Sequence, residues 1–146
     1  MKIGDILTVK GAFVHTISPD ATLQEVVNKL IDSRIGALVV CRRDAAGNEE
    51  LAGIITDRDI LYASATGRRP LDEVKVADVM TVTLITATPD DEVEQVMGLM
   101  TNRRIRHLPV LVGGRLAGII SIGDVVKAQH DRLAMENRFM KDYIAG

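Results

Sequence analysis

Residues 53–60 read GIITDRDI, and residues 118–125 read GIISIGDV. One frame fits both: Gly, two Ile, a hydroxyl residue, two variable positions, Asp, and an aliphatic residue. An apolar run leads into each frame and a helix-forming stretch leaves it. The frame reads as a turn from strand to helix, built twice, 65 positions apart.

The repetition extends outward from the frames. With Pro19 set against Pro89, an offset of 70, Leu23 meets Val93, Val26 meets Val96 and Leu30 meets Met100. In the same register Arg34 meets Arg104, Ile35 meets Ile105, Leu38 meets Leu108 and Val40 meets Val110. The offset falls to 65 at the frames because copy one is longer in RRDAAGNEE, a polar stretch where added loop costs little. Upstream, GDIL at 4–7 resembles ADVM at 77–80. A repeat of this size marks stacked copies of one supersecondary unit.

Each copy predicts the same element order. A short strand (14–17; 84–87) comes first. Ser18-Pro19-Asp20 or Thr88-Pro89-Asp90 then offers a hydroxyl cap and an early Pro for a helix, with Thr22 an equally good cap in copy one. Leu23, Val26, Val27, Leu30 and Ile31 make an apolar helical stripe. Val93, Val96, Met97 and Met100 repeat it, which places these Met in a core. Two apolar runs follow, ALVV and LAGII in copy one, LPVLV and LAGII in copy two. They lack alternation, as strands covered on both faces do. Gly113-Gly114 suits a tight hairpin turn.

The expected fold class is therefore α/β (α+β), with two β-α-β-β-α units that together cover what neither covers alone. The expected division is copy one at 1–66, a connector at 67–77 and copy two at 78–130. A long helix at 124–144 continues from copy two. Its apolar marks, Val126, Leu133, Met140 and Ile144, are sparse and partly heptad-spaced, which is thin for a coiled coil but suits a helix lying against a partner subunit.

Composition narrows the function. The 146 residues are 47% apolar and 26% charged, which suits one ordinary domain or two small ones. Net charge is −2 and aromatics are 3%, so neither a broad basic face nor a base-stacking platform is expected, and no nucleic-acid partner. No apolar run approaches the ~18 residues of a membrane span. Asp5 within MKIGDILTVKG argues against a secretory leader. One cysteine, Cys41, cannot form an internal disulfide, which points to a reduced, cytoplasmic setting. Cys41 and the three histidines, His15, His107 and His130, share neither metal-ligand spacing nor a nucleophile–base motif. Neither a metal site nor an enzyme is expected.

The frames carry the chemistry. Thr56 with Asp59, and Ser121 with Asp124, match a capping box, which satisfies two backbone donors without any ligand. The same turn can do more. A helix N-terminus at the carboxyl end of a strand offers free N–H groups and a positive dipole end to a phosphate, and a carboxylate there can accept both hydroxyls of a ribose. Cationic donors for a phosphate stand nearby in Arg58 and in RRIRH at 103–107. Arg106 and His107 lead into the strand and are better placed to point inward than Arg103 and Arg104. Copy one has Gly36 and Ala37 there, so two pockets are expected to differ.

The repeated set in register, with TDRDI at 56–60 and HLPV at 107–110, resembles the cystathionine-β-synthase (CBS) domain over residues 4–130. The resemblance implies a tandem CBS pair, or Bateman module, with pseudo-two-fold symmetry, clefts that bind adenosine compounds, and dimerisation into a disc. By position, it implies that Asp59 and Asp124 hold ribose hydroxyls and that Thr56 and Ser121 contact phosphate or ribose. It places Arg106 and His107 at phosphate contacts and Thr16 and Thr86 along the adenine pocket. Copy one departs from the pattern with Ala37-Leu38-Val39 in place of H/R-x-P, and the second frame has Ile122-Gly123 where the first has Asp57-Arg58. The expectation is a stand-alone regulatory module that binds an adenine nucleotide, AMP first, with ADP, ATP or NAD as alternatives. It would sense energy or redox state as a homodimer and signal to an unknown protein effector. The competing readings are a ligand-free dimerisation scaffold and an accessory DNA-linked or metal-linked regulator.

Overall fold

A computed structural model describes residues 1–145. In chain order the elements are α1 (Ile3–Lys10), β1 (Thr16–Ile17), α2 (Leu23–Ser33), β2 (Ala37–Arg43), β3 (Glu49–Thr56) and α3 (Asp57–Thr66). Two 3-10 turns (Leu71–Glu73 and Val76–Asp78) lead to α4 (Val93–Arg103), β4 (His107–Val112), β5 (Arg115–Ser121) and α5 (Ile122–Ala145). Strands β1, β2 and β3 form one sheet in that order, and β4 and β5 form a hairpin. Its turn is Gly113-Gly114, both at positive φ, where a side chain would be strained.

The chain folds as two compact units. One gathers Met1–Ala12, Thr86–Val112 and the described chain from Ala117 to Ala145; the other gathers Phe13–Ile85 with Gly113–Leu116. Each copy of the repeat is therefore completed by the segment that precedes the other copy. The backbone bonds that hold the two arms are equivalent. At copy two, Val93 N–H donates to Met1 O at 3.0 Å, Ile3 N–H to Asp91 O at 2.9 Å and Gly4 N–H to Pro89 O at 2.9 Å. At copy one, Leu23 N–H donates to Val74 O at 2.9 Å, Val76 N–H to Ala21 O at 2.8 Å and Ala77 N–H to Pro19 O at 3.0 Å.

Seven buried positions match between the two cores. Leu23, Val26, Leu30, Leu38, Val40, Ile55 and Val76 form one. Val93, Val96, Met100, Leu108, Val110, Ile120 and Ile3 occupy the same places in the other. Burying a side chain of this size stabilises by about 1.5–3 kcal/mol, so these positions dominate each unit. Of the apolar runs, Ala37 to Val40 and Leu108 to Val110 are buried as expected, but Val112, which ends LPVLV, is 55% exposed.

Three expectations need correction. The helices start later than Pro19 and Pro89. Thr22 is the cap of α2, accepting from Glu25 N–H, while Pro19 lies in a turn closed by Ala21 N–H donating to Ser18 O at 3.1 Å. Proline's fixed φ suits the second position of such a turn. Ile31 lies off the buried face and is 69% exposed. The first strand of copy two shrinks to a single bridge between Ala87 and Val110. In copy one, Val39 N–H donates to His15 O at 3.2 Å and extends the parallel pairing. The equivalent of Val39 is Pro109, which has no N–H to give.

Candidate functional site

In the first frame, β3 ends at Thr56 and α3 begins one residue later. Thr56 is extended (φ −121°, ψ 167°) and caps the helix. Its N–H donates to Asp59 Oδ2 at 2.9 Å and its hydroxyl to the same oxygen at 3.2 Å, while Asp59 N–H donates to Thr56 Oγ1 at 3.3 Å. The turn is tied to β2 by Asp57 N–H donating to Gly36 O at 2.9 Å. Thr56 and Asp59 are half-buried; Arg58 is exposed on the first turn of α3.

The second frame repeats this geometry between β5 and α5. Ser121 N–H donates to Asp124 Oδ2 at 2.9 Å, and Asp124 N–H donates to Ser121 Oγ at 3.1 Å. Ile122 N–H donates to Arg106 O at 2.8 Å, as Asp57 N–H does to Gly36 O in copy one. That bond brings Arg106 and His107 beside the Ser121–Asp124 turn. Arg106 is exposed and His107 half-buried.

A residue that sequence reasoning missed also occupies this turn. Lys10, at the end of α1, donates through Nζ to Asp124 Oδ2 at 2.6 Å and to Ile119 O at 2.8 Å. Burial pushes the Asp124 carboxyl up, but the Lys10 hydrogen bond, the Ser121 backbone bond and the Lys10 charge outweigh it and hold the pKa below the usual value. Copy one solves the same place differently. There Ile54 and Thr81 exchange backbone bonds, Ile54 N–H to Thr81 O at 3.0 Å and Thr81 N–H to Ile54 O at 2.9 Å. The likeness of GDIL to ADVM was the available signal: carried six residues past Gly4, it puts Lys10 in register with Thr83, beside the exchanged arm.

The arms also explain the glycine that opens each frame. A Cβ on Gly53 would lie 2.7 Å from Thr81 O and 3.0 Å from Met80 Sδ; one on Gly118 would lie 2.7 Å from Leu7 Cδ2. Met80 and Leu7 hold the same place in ADVM and GDIL.

The threonines expected to line an adenine pocket sit apart from the frames. Thr16 pairs with Val39 on β2, whereas Thr56 pairs with Ala37, so β2 lies between them. The Thr16 carbonyl accepts a bond from Lys29 Nζ. Thr16 borders an open groove of about 880 Å³ together with Ser18, Asp20, Lys29 and Arg42. Thr86 is exposed, one residue before the Ala87 bridge. Cys41 borders the same groove as Thr16; burial, then the charge of Glu49, push its thiol pKa up, which keeps it protonated. Among the described residues no helix is long and apolar enough to cross a membrane, and no cluster of three or more His, Cys, Asp or Glu is placed to hold a metal ion.

Comparison with known proteins identifies the repeat. The family model for the CBS domain matches residues 4–66 and 76–131. The mitochondrial CBS domain-containing protein CBSX3 of Arabidopsis thaliana is 37% identical over 150 residues, covering 99% of this chain and 72% of that protein. A CBS-domain containing protein from Agrobacterium tumefaciens superposes with a TM-score of 0.80 at 40% identity, covering 88% of this chain and 99% of that one. The CBS domain pair of protein MJ0100, solved in complex with 5'-methylthioadenosine and S-adenosyl-L-methionine, superposes with a TM-score of 0.72 at 26% identity, covering 90% of this chain and 98% of that one. With both copies of its repeat matched and both frames in register, the chain belongs to the CBS-domain family as a tandem pair.

Proposed function

We propose that this CBS pair is a regulatory module that binds an adenine nucleotide at its strand-to-helix turns and acts by binding, without turnover. The supporting observation is the capping geometry that the two turns share. In each, the bonds described to a half-buried Asp converge on Oδ2. Oδ1 has the lone pairs that a ribose hydroxyl needs, and the helix N-terminus beside it favours phosphate. Asp59 and Asp124 hold ribose, Thr56 and Ser121 hold ribose or phosphate, and Arg58, Arg106 and His107 supply donors to phosphate. Thr16 and Thr86 lie toward the base. AMP is the first choice, with ADP, ATP and NAD as alternatives, in a cytoplasmic homodimer that senses energy or redox state. The adenosine-type ligands of the MJ0100 pair support this class. The signal passes to a partner protein only if the nucleotide binds two states of the module with different affinity.

The test is calorimetry of the purified protein with AMP, ADP, ATP and NAD. Saturable binding at micromolar affinity, about 8 kcal/mol, is expected, and it should be lost at one turn in Asp59→Ala and at the other in Asp124→Ala. No heat at millimolar ligand overturns the reading.

One observation favours a second reading. Both carboxylates already close capping boxes on their own backbone, which is what a ligand-free scaffold requires. A melting temperature unmoved by excess nucleotide selects the scaffold, because a binder gains about 2.7 kcal/mol at a hundredfold excess over Kd.

A further inference from the structure

The outward face of α5 carries more pattern than a surface helix needs. Val125 is buried in the core, but Val126 is 57% exposed, Leu133 60%, Met140 61% and Ile144 78%. Val126, Leu133 and Met140 recur every seven residues. Placed at heptad position d, they put His130, Asn137 and Ile144 at position a, a seam of apolar d and mostly polar a residues, with exposed Phe139 and Tyr143 at c and g beside it. Met135 is on the opposite side, lining a groove against α1. At 24 residues, α5 is about 36 Å long, enough for the whole seam.

We propose that α5 pairs with α5 of a second copy of this chain as a parallel two-stranded coiled coil. The inference rests on the homodimer proposed above and gives it a geometry. Charge selects the orientation. Glu136 falls at position g and Lys141 at position e of the next heptad. In a parallel pair, g of one helix meets e of the other, so Glu136 meets Lys141 of the second copy twice by symmetry. An antiparallel pair would set g against g and e against e, bringing like charges together. Within its own helix Glu136 uses Oε1 to accept from Arg132 Nε at 3.3 Å, which leaves Oε2 for the second copy. Asn137 fixes the register. In the aligned parallel pair its carboxamide faces its own copy and each satisfies the other, whereas a slipped pair sets it against an apolar layer.

Sedimentation of the 146-residue chain tests this. The wild type is expected as a dimer. Glu136→Lys and Lys141→Glu each set like charges across the seam and weaken dimerisation about tenfold. Mixing the two variants restores wild-type affinity as a heterodimer, because every cross-seam pair is then opposite in charge. Asn137→Cys on a Cys41→Ser background forms a covalent dimer on mild oxidation. Circular dichroism and nucleotide titration of the same variants match wild type. A dimer indifferent to both charge reversals places the interface elsewhere and overturns the coiled coil while leaving the homodimer standing. Variants that weaken but do not restore on mixing overturn the parallel orientation. A wild-type monomer at every concentration overturns the coiled coil and the homodimer together, and says nothing against nucleotide binding, which the titration reads separately.

Discussion

Lys10 and Asp124 meet at 2.6 Å although 114 positions separate them in the chain. The contact makes the two frames chemically unequal. The carboxylate of the second frame carries a fixed ammonium partner, while Asp59, among the described residues, bonds only within its own turn. An anionic ligand at the second frame meets an extra cation; a ribose there competes with one.

Replacing Lys10 with Met should raise the Asp124 pKa, read by NMR titration of the carboxyl carbon, because burial then acts against a weaker set of partners. A depressed carboxylate pKa contributes stability that is complete above the unfolded value, about 4, and is lost as pH falls through the folded one. The wild type should exceed Lys10→Met by about 1 kcal/mol in denaturant unfolding at pH 7. That margin should shrink below pH ~4. A margin constant with pH would show that the pair contributes through packing alone.

The chain contains its own control for the capping role. Thr22 and Glu25 form a capping box at α2 like those of the two frames. Thr22→Ala and Thr56→Ala should each cost about 1 kcal/mol of stability. Only Thr56→Ala should also weaken nucleotide binding by calorimetry. Equal binding in both variants would reduce the frame threonine to a cap.

The frame glycines should differ in tolerance. Gly53→Ala drives a methyl into the Thr81 carbonyl, which is held in a bridge to Ile54, and should cost about 3 kcal/mol. Gly118→Ala meets the end of the Leu7 side chain, which can turn away, and should cost about 1 kcal/mol. Thermal melts in parallel give the order; a reversed order would show that the arm at copy two is the stiffer.

Truncation within the arms should act on the copy that each arm completes. Ile3→Ala should destabilise the unit holding α4 and α5, and Val76→Ala the unit holding α2 and α3, each by about 2–4 kcal/mol. Hydrogen exchange resolved by residue reads which amides lose protection. Loss spread evenly over both units would mean that they unfold as one.

The repeat, the core and most of the element order were legible because they rest on local periodicity and on the chain's likeness to itself; α1 was not expected, and the first strand of copy two is only a bridge. Leu23, Val26 and Leu30, and their partners Val93, Val96 and Met100, mark their helices without any knowledge of distant neighbours. The hydroxyl–carboxylate spacing of the frames was legible for the same reason. What stayed hidden was non-local. The likeness of GDIL to ADVM marks Met1–Ala12 as the counterpart of the second arm, but nothing local says that it adds to copy two or that Lys10 reaches Asp124. The shortened strand at Ala87 was readable in principle, since Pro109 removes the donor that Val39 supplies, but only once the pairing of those strands is known. Ile31 continued a pattern that the core had already filled.

The exchange of arms also orders events during synthesis. Copy one cannot close until Val74 and Val76 have emerged to bond Leu23 and Ala21. The N-terminal arm, made first, has nothing to dock on until the chain around Pro89 to Val93 has left the ribosome. A gene cut at residue 66 would yield a first half holding the wrong arm and a second half lacking its own. A severed copy should therefore stay soluble only when the matching arm is spliced back or supplied as a separate peptide.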